Sequence, residues 1–443
     1  MHSRWLRPWL LLLALLIGLA PASPATAQDG EISVNIVGGS RDYLIAVQRF
    51  ASDAASRNQV EALYAEIVAA IELSGGFRMV PDDAFLDPLQ TANLQATRIP
   101  CDNWRAVGTD ALLEGRVEQV GGVQRIRYRV WDTARCQQQG DPAFFEVSRD
   151  DLWIAARKLA DDVIYRFTGR RGIAATQIAF VSNQEGNKEI FVMESDGTRR
   201  QRVTSNGSVN LFPGWSRDGR SLIYTSHRAG LSDLWMLARA KKGRRVFDLR
   251  RLPGEKYRGI FGPSDRDITF VMHVAENTDL YRARADGDGK PERLTRHRAI
   301  DVSPSWSPDR KRIAFASDRA GTLQIYVKDM ETGLLRRLTF EGKYNASPAW
   351  SPDGRWIAYA ARTGHYFDIY LADPETGDVV QLTEHPRNEE APAWSPDSRK
   401  IVFVSDRFGR KDLFSIDLTG RGLRRLTEGF GDCSGPTWSS WLE

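Results

Sequence analysis

Two kinds of hydrophobic pattern divide the chain. Val60, Leu63, Tyr64, Ile67, Val68 and Ile71 recur at helical spacing, and Gly75-Gly76 ends that run. Leu152, Ala156, Leu159, Val163 and Phe167 give a second helix one apolar face, ending at Gly169, with Ser148 and Asp151 as its capping pair. Short apolar or alternating runs predict strands over 44–50, 77–80, 111–120, 124–132 and 144–147, with a hairpin turn at Gly121-Gly122. Residues 43–169 therefore read as a small α/β domain. Beyond the joint Arg170-Arg171-Gly172 the helical period stops. Every apolar run from there on has the length of a strand, and turn residues separate the runs.

The second region is a repeat. Pro213-Gly-Trp215-Ser-Arg-Asp218-Gly219 returns as Pro304-Ser-Trp306-Ser-Pro308-Asp309, Pro348-Ala-Trp350-Ser-Pro352-Asp353, Pro392-Ala-Trp394-Ser-Pro396-Asp397 and Pro436-Thr-Trp438-Ser. The last four tryptophans stand 44 residues apart, and the gap of 91 before them holds a worn copy with Phe261 at the tryptophan position. Leu-Thr steps close several units, at 294–295, 338–339, 382–383 and 426–427. A period in the forties with four short strands per unit predicts a β-propeller, here six-bladed over 173–443. The tryptophan is read as the packing residue between blades. The first unit lacks its Pro-x-Trp strand and the last unit has only that strand. The C-terminal strand should therefore complete the first blade and remove two exposed edges.

The start of the chain differs from both regions. His2, Arg4 and Arg7 precede an apolar run from Trp9 to Ala20, and Ala25-Thr-Ala27 follows, so residues 1–27 read as a secretory signal peptide. Its removal leaves 59 basic against 57 acidic residues, which gives no electrostatic case for nucleic acid. In residues 28–42, Ile32, Val34 and Ile36 alternate after Glu31, and Gly38-Gly39-Ser40 breaks the pattern. Such a strand can pair within the domain or add to a partner's sheet edge. In an oxidising compartment Cys101 and Cys136 are expected to form a disulfide, which stabilises by about 3–4 kcal/mol on the chain-entropy model. Cys433 is left over.

Catalytic chemistry is hard to place. There is no Gly-x-Ser-x-Gly elbow, no Walker A sequence and no dinucleotide fingerprint. No His or Cys pair has zinc-ligand spacing. Asp286-Gly-Asp288-Gly289 lacks the later calcium ligands and reads as a hairpin turn. Asp218, Asp309, Asp353 and Asp397 repeat at one position, which argues for turn building. No cofactor or metal is expected. What varies from unit to unit is the stretch before each Pro-x-Trp strand, which approaches the channel mouth if that strand is innermost. The candidate partner-binding residues there are Asn210, Lys256, Tyr257, Asp301, Tyr344, Asn345, Asn388, Glu389, Glu390 and Asp432.

A signal peptide, a small α/β domain and six units with Pro-x-Trp-Ser-Pro-Asp phrases and Leu-Thr closings together resemble the TolB family, the periplasmic component of the Tol–Pal system. The resemblance implies a non-enzymatic, monomeric adaptor in the periplasm that supports outer-membrane integrity and envelope constriction during division. It further implies that the channel mouth binds the lipoprotein Pal. The N-terminal segment, with Glu31, Ile32, Val34 and Ile36, would bind TolA. The worn unit makes the positions around Lys256 and Tyr257 depart from the family phrase. The alternatives from the residues alone are a secreted propeller lyase or peptidase-accessory protein, and a sugar- or peptide-binding module.

Overall fold

The computed structural model describes residues 42–85, 98–240, 243–248, 254–286 and 288–442, with the backbone alone for 239–240 and 243–248. The expected signal peptide and the segment from Glu31 to Ile36 lie outside the described residues.

The α/β domain holds helices α1 (Val60–Ser74), α2 (Cys101–Ala106) and α3 (Leu152–Thr168). Its central strands are Tyr43–Val47, Phe77–Met79, Ala111–Val120, Val123–Asp132 and Ala143–Val147. Tyr43–Val47 lies parallel to both Phe77–Met79 and Ala111–Val120, and the long hairpin turns at Gly121 and Gly122, whose φ values are 58° and 88°. Glycine adopts such angles at no steric cost. The apolar stripes of α1 and α3 meet over one sheet face, where Leu63, Ile67, Leu159 and Val163 pack on Val117, Ile126 and Val130. Gly169 caps α3 in the left-handed conformation. The expected capping pair takes another form. Ser148 Oγ donates to the Asp151 carboxylate (2.7 Å) rather than accepting a helix N–H, and a 3₁₀ turn, Arg149–Asp151, precedes α3. Sequence reading gave no sign of α2, whose Cys101 is disulfide-bonded to Cys136.

The propeller has six four-stranded blades. Their innermost strands are Asn210–Trp215, Glu255–Phe261, Asp301–Trp306, Tyr344–Trp350, Glu389–Trp394 and Cys433–Trp438. The last of these pairs antiparallel with Gln177–Ser182, so the first blade is built from both ends of the region and the ring closes. The tryptophans pack between neighbouring blades. Trp350 lies among Ala316 and Ile325 of the preceding blade and Ile357 of its own, and Trp394 among Ala360, Ile369 and Ile401. Phe261 fills the same place between Ile223 and Ile268 in the worn unit. After four of the phrases the serine and aspartate build a turn. Ser351 Oγ donates to Asp353 (2.6 Å), which accepts the Arg355 N–H (3.1 Å), and Asp218 and Asp397 repeat this.

The joint between the domains is packed. Ile173 and Ala174 are buried, and the Asp161 carboxylate of α3 accepts the N–H groups of Ala174 and Ala175 (2.8 and 3.0 Å). Burial pushes that carboxyl up to about 6 against those hydrogen bonds. Arg157 of α3 pairs with Glu66 of α1 (2.6 Å) and with Asp196 in a turn of the first blade. Trp441 Nε1 donates to Gly172 O (2.6 Å). The α/β domain thus covers the propeller face that carries the serine–aspartate turns. The opposite face, where the innermost strands begin, is left uncovered by it.

Candidate functional site: the mouth face and the channel

Ten residues were expected to front the mouth, and the structure divides them in two. Asn210, Lys256, Asp301, Asn345 and Glu389 each begin or nearly begin an innermost strand, and all five are buried. A buried polar group needs a partner, and each residue has one, although Asn345 Oδ1 and Glu389 Oε2 accept no hydrogen bond from the described residues. Asn210 Nδ2 donates to Glu189 (2.7 Å), Asn345 Nδ2 donates to Gln324 (2.8 Å), and Lys256 Nζ lies 3.3 Å from Asp233. These three pairs each join one blade to the next. Asp301 and Glu389 instead take an arginine of their own blade. Arg319 Nη2 donates to both Asp301 oxygens (2.8 and 2.9 Å), and Arg407 pairs with Glu389. The blade-to-blade variation at these positions is matched by partners inside the protein, and the five side chains are buried rather than presented at the surface.

The Leu-Thr closings belong to the same layer. Thr204, Thr295, Thr339, Thr383 and Thr427 accept, through Oγ, the N–H of Ile190, Leu280, Ile325, Ile369 and Leu413 at 2.8–3.1 Å. The threonine ties the outer edge of a blade to its third strand. Nearby, burial pushes the Asp368 carboxyl up to about 7, with the Glu389 and Glu384 charges adding to the effect.

The other five expected residues remain at the surface. Tyr257, Tyr344, Asn388 and Glu390 are half-buried and Asp432 is exposed. Tyr344 stands edge-on to Phe367, Asn388 donates to Asp406 (3.0 Å), and Glu390 pairs with Lys411 (3.2 Å). Around them lies a set of apolar side chains that sequence reading missed. Val209, Leu231, Ile300, Phe340, Tyr366 and Phe408 on loops of this face, and Val274 at a strand end, are all exposed, Phe340 to 72%, Leu231 to 68% and Phe408 to 62%. They sit one or two to a blade in or beside loops rich in glycine and charge, where no period marks them. Adjacent glycines at Gly230-Leu231 and Phe408-Gly409 were the available hint.

The innermost strands enclose a channel of about 630 Å³. Each carries a β-bulge just before its Pro-x-Trp step. The bulge sets Phe212, Arg258, Ser303, Ser347, Ala391 and Gly435 at φ 51–55°, and all six line the channel. Proline is tolerated next to them because the strand is an edge of its sheet and its outward N–H has no ladder partner to lose. Arg258 lies over the Phe212 ring (4.2 Å) and donates to Ser303 Oγ (2.8 Å). Burial pulls its guanidinium below the ordinary value.

Among the described residues no group of His, Cys, Asp and Glu is placed to hold a metal ion. Fold and site define a two-domain β-propeller protein with one face covered by its own N-terminal domain and one face open. The sequence matches the TolB amino-terminal domain over residues 32–139 and the TolB beta propeller domain over 164–442. The chain belongs to the TolB family, whose members are non-enzymatic envelope proteins. It is 34% identical to the Tol-Pal system protein TolB of Anaeromyxobacter dehalogenans, over 66% of this chain and 67% of that one. It is 35% identical to that of Desulfosudis oleivorans, over 74% of this chain and 64% of that one. The crystal structure of TolB from Acinetobacter baumannii shares the fold, with a TM-score of 0.75 at 24% identity, over 90% of this chain and 97% of that one.

Proposed function

We propose that this chain is a periplasmic adaptor of the Tol–Pal system that binds Pal at the mouth face of its propeller and TolA through its N-terminal segment. The observation that carries the reading is the uncovered face. Seven exposed apolar side chains and the polar groups Tyr257, Tyr344, Asn388, Glu390 and Asp432 share it, while the α/β domain packs against the other side. Leu334, Leu335, Val379 and Leu423 are exposed too, but at the outer strands of three separate blades, whereas the seven on the mouth face are rimmed by polar groups in the pattern of a protein-binding surface. A rigid ring holds those loops in place, so little order has to be gained on binding.

In this reading residues 1–27 direct export and are removed. The strand expected from Glu31 to Val37 then adds to an edge in TolA. The two contacts would link the energised inner membrane to the outer envelope and serve envelope integrity and constriction at division. Calorimetric titration of the mature chain with soluble Pal and with TolA tests this. Deleting residues 28–42 should abolish TolA binding and spare Pal binding. Replacing Phe408 and Tyr366 by serine should do the reverse. Equal losses for both partners in either variant contradict the assignment.

A further inference from the structure

We propose that Arg258 and Ser303 form a carboxylate-binding subsite inside the channel, filled by an acidic side chain of the protein segment that docks at the mouth. The inference rests on the reading of the mouth face as Pal-binding and adds what the docked segment must carry.

Three charged side chains line the channel among the described residues: Arg258, Glu390 and Lys411. Glu390 and Lys411 pair with each other (3.2 Å). The ionisable neighbours of Arg258 are the phenols of Tyr257 and Tyr344, and no carboxylate of the described residues pairs with it. Arg258 is half-buried, and a partly desolvated guanidinium without a counter-charge is costly to hold. The other arginines of this layer, Arg319, Arg407 and Arg425, each have an acid within their own blade. Arg258 also sits at φ 51°, a backbone angle that a β-carbon disfavours, and the bulge aims it at the channel. Phe212 below and Ser303 beside it fix the guanidinium plane. Its remaining N–H groups suit the two-oxygen fork of a carboxylate. The channel has room for a few residues of an incoming chain.

An arginine kept for a ligand and an arginine kept for the fold respond differently to substitution. The test measures Arg258→Gln and Arg258→Lys against wild type, first by thermal melting and then by calorimetric titration with soluble Pal. The expected melting temperature of Arg258→Gln is equal to or above wild type, because an uncompensated charge has been removed. The expected affinity of Arg258→Gln is at least about thirtyfold lower, with Arg258→Lys between the two. A panel of soluble Pal variants with single Asp→Asn or Glu→Gln changes should contain one that loses as much against wild type and nothing further against Arg258→Gln. A lowered melting temperature with unchanged affinity overturns the proposal, and so does coupling to the Pal C-terminus instead of a side chain. If wild type fails to bind Pal, the reading of the partner fails, and glutarate tests the subsite alone. Thermal stabilisation of wild type but not of Arg258→Gln by glutarate at matched ionic strength supports it, and equal response overturns it.

Discussion

The two faces of the propeller solve opposite problems with the same residue types. On the covered face, charged groups meet charged groups. Arg157 is buried between Glu66 and Asp196, and although burial opposes its charge, those carboxylates hold it above its ordinary value. Glycine and tryptophan from the joint and the C-terminal strand complete the seal. On the open face the paired charges lie one layer down, beneath loops whose apolar side chains stay exposed, Phe408 touching Phe414 and Arg425 and Phe340 touching Arg337 from one side. The difference teaches that polarity alone does not locate a binding surface. In this molecule the charged residues nearest the mouth hold the blades together, and the apolar ones around it stay exposed, which is why the proposed docking surface is placed on them.

Four substitutions sharpen that comparison. The largest effect is expected on the covered face. Arg157→Ala leaves the Glu66 and Asp196 carboxylates without their shared cation and should cost about 3–5 kcal/mol. Calorimetry should then resolve separate unfolding of the α/β domain. Next is the layer under the mouth. Asp301→Asn keeps the shape but loses the charge opposite Arg319, and a loss of about 1–3 kcal/mol is expected in urea unfolding. Its binding to Pal should be unchanged in conditions where it is folded.

The third effect depends on pH. Folded Asp368 binds its proton up to about pH 7, whereas an unfolded aspartate releases it near the usual carboxylate value. Its contribution to stability is therefore present in full at low pH and is lost as pH rises through about 7. Asp368→Asn removes that loss and still accepts the His385 N–H, which donates to the native carboxylate at 3.0 Å. The variant should be more stable than wild type by about 1–2 kcal/mol at pH 8, solvent screening included, with the gap closing toward pH 5. A constant gap across that range contradicts the cause given. The smallest effect on stability is at the open face. Phe408→Ser should lower it by no more than about 1 kcal/mol, because that side chain is exposed to 62% and loses only its stacking on Phe414 and its contact with the Arg425 guanidinium. Binding to Pal should nonetheless weaken measurably.

Much of the fold was legible because a repeat displays each structural position several times. Trp306, Trp350 and Trp394 each occupy one inter-blade position, so their spacing counts the blades. The missing strand of the first unit foretold ring closure by Cys433–Trp438. In the α/β domain, α1 and α3 were legible from their apolar stripes, whereas the six residues of α2 are too few to show a period. The site was less legible. Asn210, Lys256, Asp301, Asn345 and Glu389 were assigned to the channel mouth because the stretch before each Pro-x-Trp strand varies from blade to blade. Their partners Glu189, Asp233 and Gln324 stand 21–23 residues upstream, and only the stacking of one blade on the next brings them together. The bulge that aims Arg258 into the channel depends in the same way on the ladder beside it.

Hydrogen–deuterium exchange of the mature chain with and without soluble Pal tests the central claim most directly. Protection is expected in the loops at 205–209, 228–232, 298–300, 340–343, 363–367 and 406–411, with no change in the turns at 216–220, 307–311 and 395–399. Protection of those turns or of the α/β domain, with the mouth loops unaltered, would contradict the account.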